Sequence, residues 1–534
     1  MNLNHKILIA GFLLFSVSAF GQVNRYAIYF KDKTGTSFSL SRPEEFLSAR
    51  SIARRAKRQV TLKTADLPVN PEYVTQLKNL GVKVLFRTRW LNGVIAEADA
   101  AGLSGISALS FVASTEYLGP GSVPAVVQAE NSLRSDPLSD PVLSGKEEIA
   151  SQLSMVGIDD MHADGFQGEG MLIAIMDSGF SGINTTTDFS GIFSRVKDHY
   201  NFVNNRKDVF GYDSHGTHVL SVIGSNSASL KGSAPKSDYL LYITEHVPTE
   251  YRIEELNWVI AAERADSAGA DVINTSLGYY LFDDNSMNYS YTDMNGRTTR
   301  ISKAAQMAAE AGILVVASAG NEGNGTWQYI TAPADAVDVL AAGAVDGAQL
   351  RASFSSKGPS SDGRVKPDLM ALGLSTAIMG STGSEQTASG TSFSAPILSG
   401  LAAGVLQAYP DLTISEVLLK LRESGSMYTQ PDALMGYGIP DYTRIRGGTI
   451  TSLKEEDKFK VFPNPVTGGF IRVKKSDSSV SPENFKLLNM RGQSVELKQT
   501  ASDDANEIIF NVSHCPVGLY LLKAGEQVIR IVIK

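Results

Sequence analysis

One cysteine in 534 residues rules out an internal disulfide, so the chain must draw its stability from buried core. Basic side chains are not in excess: 48 Lys and Arg stand against 56 Asp and Glu, a net charge of −8. That balance gives no general electrostatic reason to bind nucleic acid, whose phosphates call for a basic surface. Beyond the amino terminus no apolar run approaches the ~18 to 20 residues of a membrane-spanning helix, so no stable transmembrane segment is expected. Solenoid-length repeats and heptads are also missing. Glycine, by contrast, is plentiful at 48 residues, which points to tight turns and close approaches of backbone. A chain 43% hydrophobic and 19% charged is globular, and its length predicts about three domains at roughly 150 residues each.

The amino terminus carries Lys6, an apolar run from Ile7 to Phe15 and then small residues up to Gly21. This order of basic, apolar and small residues predicts a secretory signal over 1–21, cut before Gln22. Tyr26 to Phe30 favours a strand, Glu44 to Arg58 a basic helix, Pro71 to Leu80 a second helix, and Val82 to Phe86 and Gly93 to Ala98 two more strands. A small α+β domain over 22–118 is therefore expected. A stretch rich in Ser, Pro and Asp follows over 119–147 and reads as an exposed, cleavable linker.

From 148 to 445 apolar strands alternate with helical patterns, which predicts βαβ units around a mostly parallel sheet, a three-layer α/β/α arrangement. Met171 to Met176 is an unbroken apolar run ending in Asp177, as in a strand buried on both faces. The last segment, 455–534, consists of short β-rich runs punctuated by Gly, Pro and Asn, and predicts an all-β sandwich.

Three motifs in the middle domain carry chemistry: Ile173-Ala-Ile-Met-Asp177-Ser-Gly, Asp213-Ser-His215-Gly-Thr-His218-Val, and Ser389-Gly-Thr-Ser392-Phe-Ser-Ala-Pro396. A serine hydroxyl attacks a carbonyl only when a neighbouring imidazole takes its proton. That imidazole needs a carboxylate on its other nitrogen to fix the tautomer and stabilise the imidazolium. Asp177, His215 and Ser392 supply the three groups in one of the known chain orders. Ser392 falls at the start of a predicted helix, where orphan N–H groups face anything negative. Its N–H and the amide of Asn321, in Ala317-Ser-Ala-Gly-Asn321, are candidate oxyanion donors. Pro396 is expected early enough in that helix for its missing N–H to cost little.

On these motifs, residues 150 to 445 resemble the catalytic domain of a subtilisin-like serine peptidase. The resemblance implies Asp177, His215 and Ser392 as triad and Asn321 as oxyanion residue. It also implies that Ser276-Leu277-Gly278 pairs with an extended substrate, and that Ala317, Ser318, Ala319 and Gly320 form the other wall of the pocket for the residue before the scissile bond. Two positions depart from the family pattern: Leu220-Ser221 replaces Ala-Gly, and Phe393 replaces methionine. Both are expected to face packing neighbours. The amino-terminal domain resembles the family's inhibitory prodomains, and the last domain resembles the sorting domains of the Bacteroidetes type IX secretion system, through Phe462-Pro-Asn-Pro and Gly518-Leu-Tyr-Leu. The expected protein is a secreted or surface serine endopeptidase, exported through periplasm and outer membrane. Its partners are protein or peptide substrates, its own prodomain as intramolecular inhibitor, and the secretion machinery.

Competing readings come from other classes. A non-catalytic binding or adhesion protein would have lost a triad or oxyanion residue, and an esterase would show Gly-x-Ser-x-Gly, absent around Ser392. His215 and His218 at i, i+3 lack a third zinc ligand, and Ser394 is the alternative nucleophile two residues on. Asp213 is expected either beside the triad or facing substrate, or else as a plainly solvated carboxylate, and Cys515 as a buried thiol. No cofactor is required, and a structural calcium is left unassigned because no Asp-x-Asp-x-Asp-Gly loop is present.

Overall fold

The computed structural model describes residues 23–121, 152–227, 230–447, 459–462, 466, 468–475, 481–489, 493–502, 507–524 and 527–533. The expected signal, nearly all of the expected linker and the Pro-Asn-Pro segment lie outside them. The chain forms two compact units, 1–445 and 446–534.

The first unit opens with a four-stranded antiparallel sheet of order β2-β3-β1-β4, formed by β1 (Asn24–Phe30), β2 (Lys83–Thr88), β3 (Gly93–Ala98) and β4 (Val112–Pro120). Its helices are α1 (Ala49–Lys57), α2 (Pro71–Asn79) and α3 (Ala100–Ser107). The basic helix is shorter than expected because the Ser48 hydroxyl accepts from the Ser51 N–H and starts α1 there, after a 3-10 turn at Pro43–Glu45. Two elements were not anticipated. The Ala/Gly/Ser composition of α3 hides its periodicity, and β4 runs through Gly119 and Pro120, two residues into the segment read as linker. Pro120 is tolerated because β4 is an edge strand, where no ladder bond needs its N–H.

This sheet is buried on both faces. Val94, Ala96 and Ala98 of β3 join a local core with Val74, Leu77 and Ile106. Ile95, with Ala27, Trp90 and Leu118, joins the core of the next domain instead. That is why polar and apolar residues do not alternate cleanly in β1.

The middle domain is built on a seven-stranded, wholly parallel sheet of order β11-β10-β9-β8-β5-β7-β6. Its strands are β5 (Leu172–Asp177), β6 (Val196–Asn201), β7 (Asp238–Ile243), β8 (Val272–Thr275), β9 (Leu314–Ser318), β10 (Val339–Val345) and β11 (Leu369–Leu372). The side chains of β5 alternate between two cores. Ile173 and Ile175 pack with α4 (His215–Gly224) and the long helix Thr391–Ala408; Leu172, Ala174 and Met176 pack with α5 (Ile253–Ala268) and α6 (Arg300–Glu310). Helices on both faces make the expected α/β/α layers.

The amino-terminal domain seats on α5 and α6 through a buried ionic cluster. Asp266, in the last turn of α5, accepts from Arg54, Arg55 (2.7 Å) and Arg89 (2.6 Å). Arg54 also donates to the Ala270 carbonyl (2.7 Å) and Arg58 to those of Pro410 and Leu412 (2.9 and 2.8 Å). Glu263, one turn earlier on α5, receives the Thr88 hydroxyl and the N–H groups of Arg89 and Trp90. Burial pushes the Asp266 carboxyl up, but the guanidiniums of Arg54, Arg89 and Arg55 outweigh it and hold it at about 2.

The second unit is a sandwich of two four-stranded antiparallel sheets. Ile471, Val473, Leu487, Phe510, Leu522 and Ile531 fill its core, and Cys515 is buried among them, its thiol pushed up by burial. Among the described residues no helix is long and apolar enough to cross a membrane.

Candidate active site

Parallel strands deliver their following residues to one edge of the sheet. Asp177 ends β5; Ser276–Gly278 follow β8, the strand next to it, and Ala319–Gly320 follow β9, on the far side of β8. His215 opens α4. Its Nδ1 lies 2.7 Å from Asp177 Oδ1, and Asp177 is fully buried. The close fit depends on Gly216, where a Cβ would stand 2.5 Å from the Gly179 carbonyl oxygen and 3.0 Å from Asp177 Cβ.

A second tier holds the aspartate. Ser178 donates its N–H (2.8 Å) and hydroxyl (3.2 Å) to Asp177 Oδ1, and that hydroxyl also reaches Asp213 Oδ2 at 2.6 Å. Burial raises the Asp213 carboxyl, but hydrogen bonds from Ser178 and the Ser214 backbone leave it below its ordinary value. Asp213 is thus tied to the site through Ser178, a link that sequence spacing did not reveal.

Ser392 is the second residue of α7 (Thr391–Ala408), whose entry is Gly390 at φ +153°. At N2 its backbone N–H has no carbonyl of the helix to bond. The Ser392 hydroxyl lies 3.4 Å from the Ser276 carbonyl oxygen. Phe393, the next residue, is buried with its ring 5.8 Å from the His215 imidazole, so this departure from the family pattern packs directly on the candidate base. Ser221, the other departure, accepts the Met379 N–H at 2.9 Å. Ser394 is fully buried and lies 3.2 Å from the Ala371 carbonyl oxygen, turned into packing.

Pro396 stands deeper in the helix than its sequence suggested, five residues past the first helical position. The carbonyl it leaves without an N–H is that of Ser392, four residues back. The hydroxyl of Ser276 takes the vacancy at 2.9 Å. Ser276 is itself placed by Asn274 Nδ2 at 3.3 Å, so the segment after β8 buttresses the turn that carries Ser392.

Asn321 is oriented by its neighbour. Thr391 donates both N–H (2.9 Å) and hydroxyl (3.0 Å) to Asn321 Oδ1, which turns Nδ2 towards Gly390; a Cβ there would be 3.4 Å from it. The segments after β8 and β9 are joined by Ser318 Oγ to the Leu277 carbonyl at 3.5 Å, and Gly320 N–H donates to Thr391 Oγ1 at 3.2 Å. Ala317 and Ala319 are fully buried behind them.

Among the described residues one group of three metal-competent side chains comes together, Glu245, Glu250 and Glu254. Glu245 already accepts from the Tyr279 hydroxyl, and Glu254 from the His246 and Tyr251 N–H groups. Burial pushes Glu245 up to about 7. Two of the three carboxylates are thus already hydrogen-bonded within the protein, and we assign the cluster no metal.

Three family models divide the chain as the architecture does. Residues 168–438 match the Subtilase family, 25–133 the Peptidase S8 propeptide domain of Bacteroidota, and 460–534 the Secretion system C-terminal sorting domain. Similar proteins include a subtilisin of Bacillus pumilus, 31% identical over 299 residues that span 55% of this chain and 97% of that one. Subtilisin DY of Bacillus licheniformis is 30% identical over 278 residues, 51% of this chain and 90% of that one. Among solved structures, MycP1 from Mycobacterium smegmatis is 22% identical with a TM-score of 0.48, covering 62% of this chain and 92% of that one. The sorting domain and the propeptide mark a secreted or cell-surface protein exported across the outer membrane. With a matching model over half its length and subtilisins among its relatives, the chain belongs to the subtilase family and is a serine endopeptidase.

Proposed function

We propose that Asp177, His215 and Ser392 are the catalytic triad of this endopeptidase and that Asn321 and the Ser392 N–H form its oxyanion hole. The observation that carries the reading is the 2.7 Å contact between His215 Nδ1 and the fully buried Asp177. A carboxylate there makes Nδ1 the protonated nitrogen and leaves Nε2 to act as base. Nε2 takes the Ser392 proton as Oγ bonds to the scissile carbonyl carbon. The carbonyl oxygen, now negative, accepts from Ser392 N–H and Asn321 Nδ2, each donor lowering the barrier by roughly 3 to 4 kcal/mol. The imidazolium then protonates the departing amine as the C–N bond breaks, leaving an acyl-enzyme. Water repeats the sequence and frees Ser392. No step calls on a cofactor. Ser276–Gly278 and Ala317–Gly320 flank the extended substrate on either side.

The domain boundaries belong to the same reading. Residues 22–118 act as inhibitor, the 119–147 segment is where the precursor is cut, and 455–534 is the address read in the periplasm. Purified Ser392→Ala should be folded, should keep its prodomain attached and should lack peptidase activity; activity comparable with the parent would refute the nucleophile. Amino-terminal sequencing of active enzyme that returns Gln22 would refute prodomain removal. A truncation ending near Leu453 should stay active but be trapped in the periplasm.

A further inference from the structure

We infer that the carboxyl ends of α5, α6 and α7 form a guanidinium-binding face that, once the amino-terminal domain has left, holds arginine-bearing helical segments of protein substrates to the mature enzyme. The inference rests on the reading of 22–118 as a domain removed at maturation. In the precursor these three helix ends converge on α1. Arg50 donates to the carbonyl of Gly269, the cap of α5, at 3.0 Å. Arg54 donates to the carbonyls of Ala270 (2.7 Å) and Ala311, the cap of α6 (3.1 Å). Arg58 donates to those of Pro410 and Leu412, just past α7. The carboxyl end of a helix carries partial negative charge and leaves its last carbonyls without intrahelical donors. Arg50, Arg54 and Arg58 fall at i, i+4 and i+8, the spacing of one helix face.

Two carboxylates on this face have no cation from their own domain. Among the described residues, every side-chain hydrogen bond accepted by Asp266 and Glu263 comes from the amino-terminal domain. Like charges at i, i+3 repel, and the last turn of a helix is the wrong end for Asp266. When 22–118 departs, this set of acceptors is left without donors except water, and a segment presenting arginines at the same spacing re-forms the bonds. Arginine fits where lysine does not: Arg54 sends Nη1 to the Ala270 carbonyl and Nη2 to both Asp266 and the Ala311 carbonyl, a planar fork that an ammonium cannot reproduce. The position of the face selects the class of ligand. Ser392 stands at the start of the 18-residue α7 and the face at its end, about 27 Å apart along the helix. Only a polypeptide long enough to span that distance can occupy both, so the face serves proteins and leaves short peptides unaffected.

The test uses mature enzyme inactivated with a fluorophosphonate and a labelled alanine-based helical peptide with Arg at i, i+4, i+5 and i+8, followed by fluorescence anisotropy. The same peptide with Lys at those positions should bind about 10-fold more weakly, and with Gln it should not bind. Glu263→Gln should weaken the Arg peptide by about 10-fold, and Asp266→Asn by more; Glu263→Gln covers the case that the Asp266 variant does not mature. On active enzyme, joining the Arg helix to a cleavable peptide through a flexible linker of about 12 residues, enough to span the distance, should lower KM by about 10-fold with kcat unchanged. Free Arg peptide should reverse that gain without slowing a short chromogenic peptide. Equal binding of the Arg, Lys and Gln peptides, or a fusion whose KM is no lower than that of the bare peptide, would overturn the proposed face. Active enzyme that begins at Gln22 would instead overturn the removal of 22–118 on which it rests.

Discussion

At the carboxyl edge of the sheet one buried carboxylate, Asp177, faces one imidazole. On the last turn of α5 another buried carboxylate, Asp266, faces three guanidiniums. The difference follows from what each must do. In the proposed mechanism His215 gains and loses a proton in every catalytic cycle, so its partner must stabilise the imidazolium without locking it in place. The guanidiniums of Arg54, Arg55 and Arg89 never change charge, and their carboxylate is oversupplied with donors. One arrangement is poised for change and the other resists it.

The largest effect should come from unbalancing the clamp. Asp266→Asn leaves three buried cations without their shared anion and should destabilise the precursor by about 3 to 5 kcal/mol, read by denaturant unfolding of Ser392→Ala protein. A change below about 1 kcal/mol would mean the cluster is incidental. The sign with pH follows from the depressed carboxyl. Because Asp266 is held at about 2, its contribution is fully present above the ordinary aspartate value near 4 and is lost as pH falls through 2. Mild acid should therefore not loosen the precursor through this group. In the precursor carrying Asp266→Asn, the stability loss between pH 4 and 2 should shrink.

On the catalytic side, Asn321→Ala should lower kcat by roughly 100- to 1000-fold with little change in KM, since Nδ2 is the proposed donor to the developing oxyanion. A loss confined to KM would make Asn321 a binding residue. The smallest effect is expected from Ser276→Ala, which leaves the Ser392 carbonyl without the donor that replaces the missing proline N–H. It should cost about 1 to 3 kcal/mol in stability, checked by thermal unfolding of the mature enzyme. No shift in Tm would show that water or backbone adjustment fills the vacancy.

The comparison also separates what a sequence displays from what only folding reveals. Asp177, His215, Ser392 and Asn321 could be picked out as candidates because each sits in a short motif, with small neighbours such as Gly216 and Gly390 that allow close approach. The parallel sheet was legible because its strands are buried on both faces and read as apolar runs. The arginines of α1 were visible as a basic helix, but their partner Asp266 lies more than two hundred residues away on an ordinary helical turn. β4 was hidden by Gly119 and Pro120, residues that mark a turn in most settings and an edge strand here. The role of Ser276 towards Pro396 was equally invisible, since proline states which bond it lacks and never who replaces it.

The central claim is that Ser392 is the activated nucleophile. Mature enzyme treated with a fluorophosphonate, digested and mapped by mass spectrometry tests it most directly. The adduct should fall on Ser392, at a rate that drops sharply in Asp177→Asn, where the imidazole is held in the wrong tautomer. An adduct on Ser394, or labelling of Ser392 that is indifferent to Asp177, would contradict it.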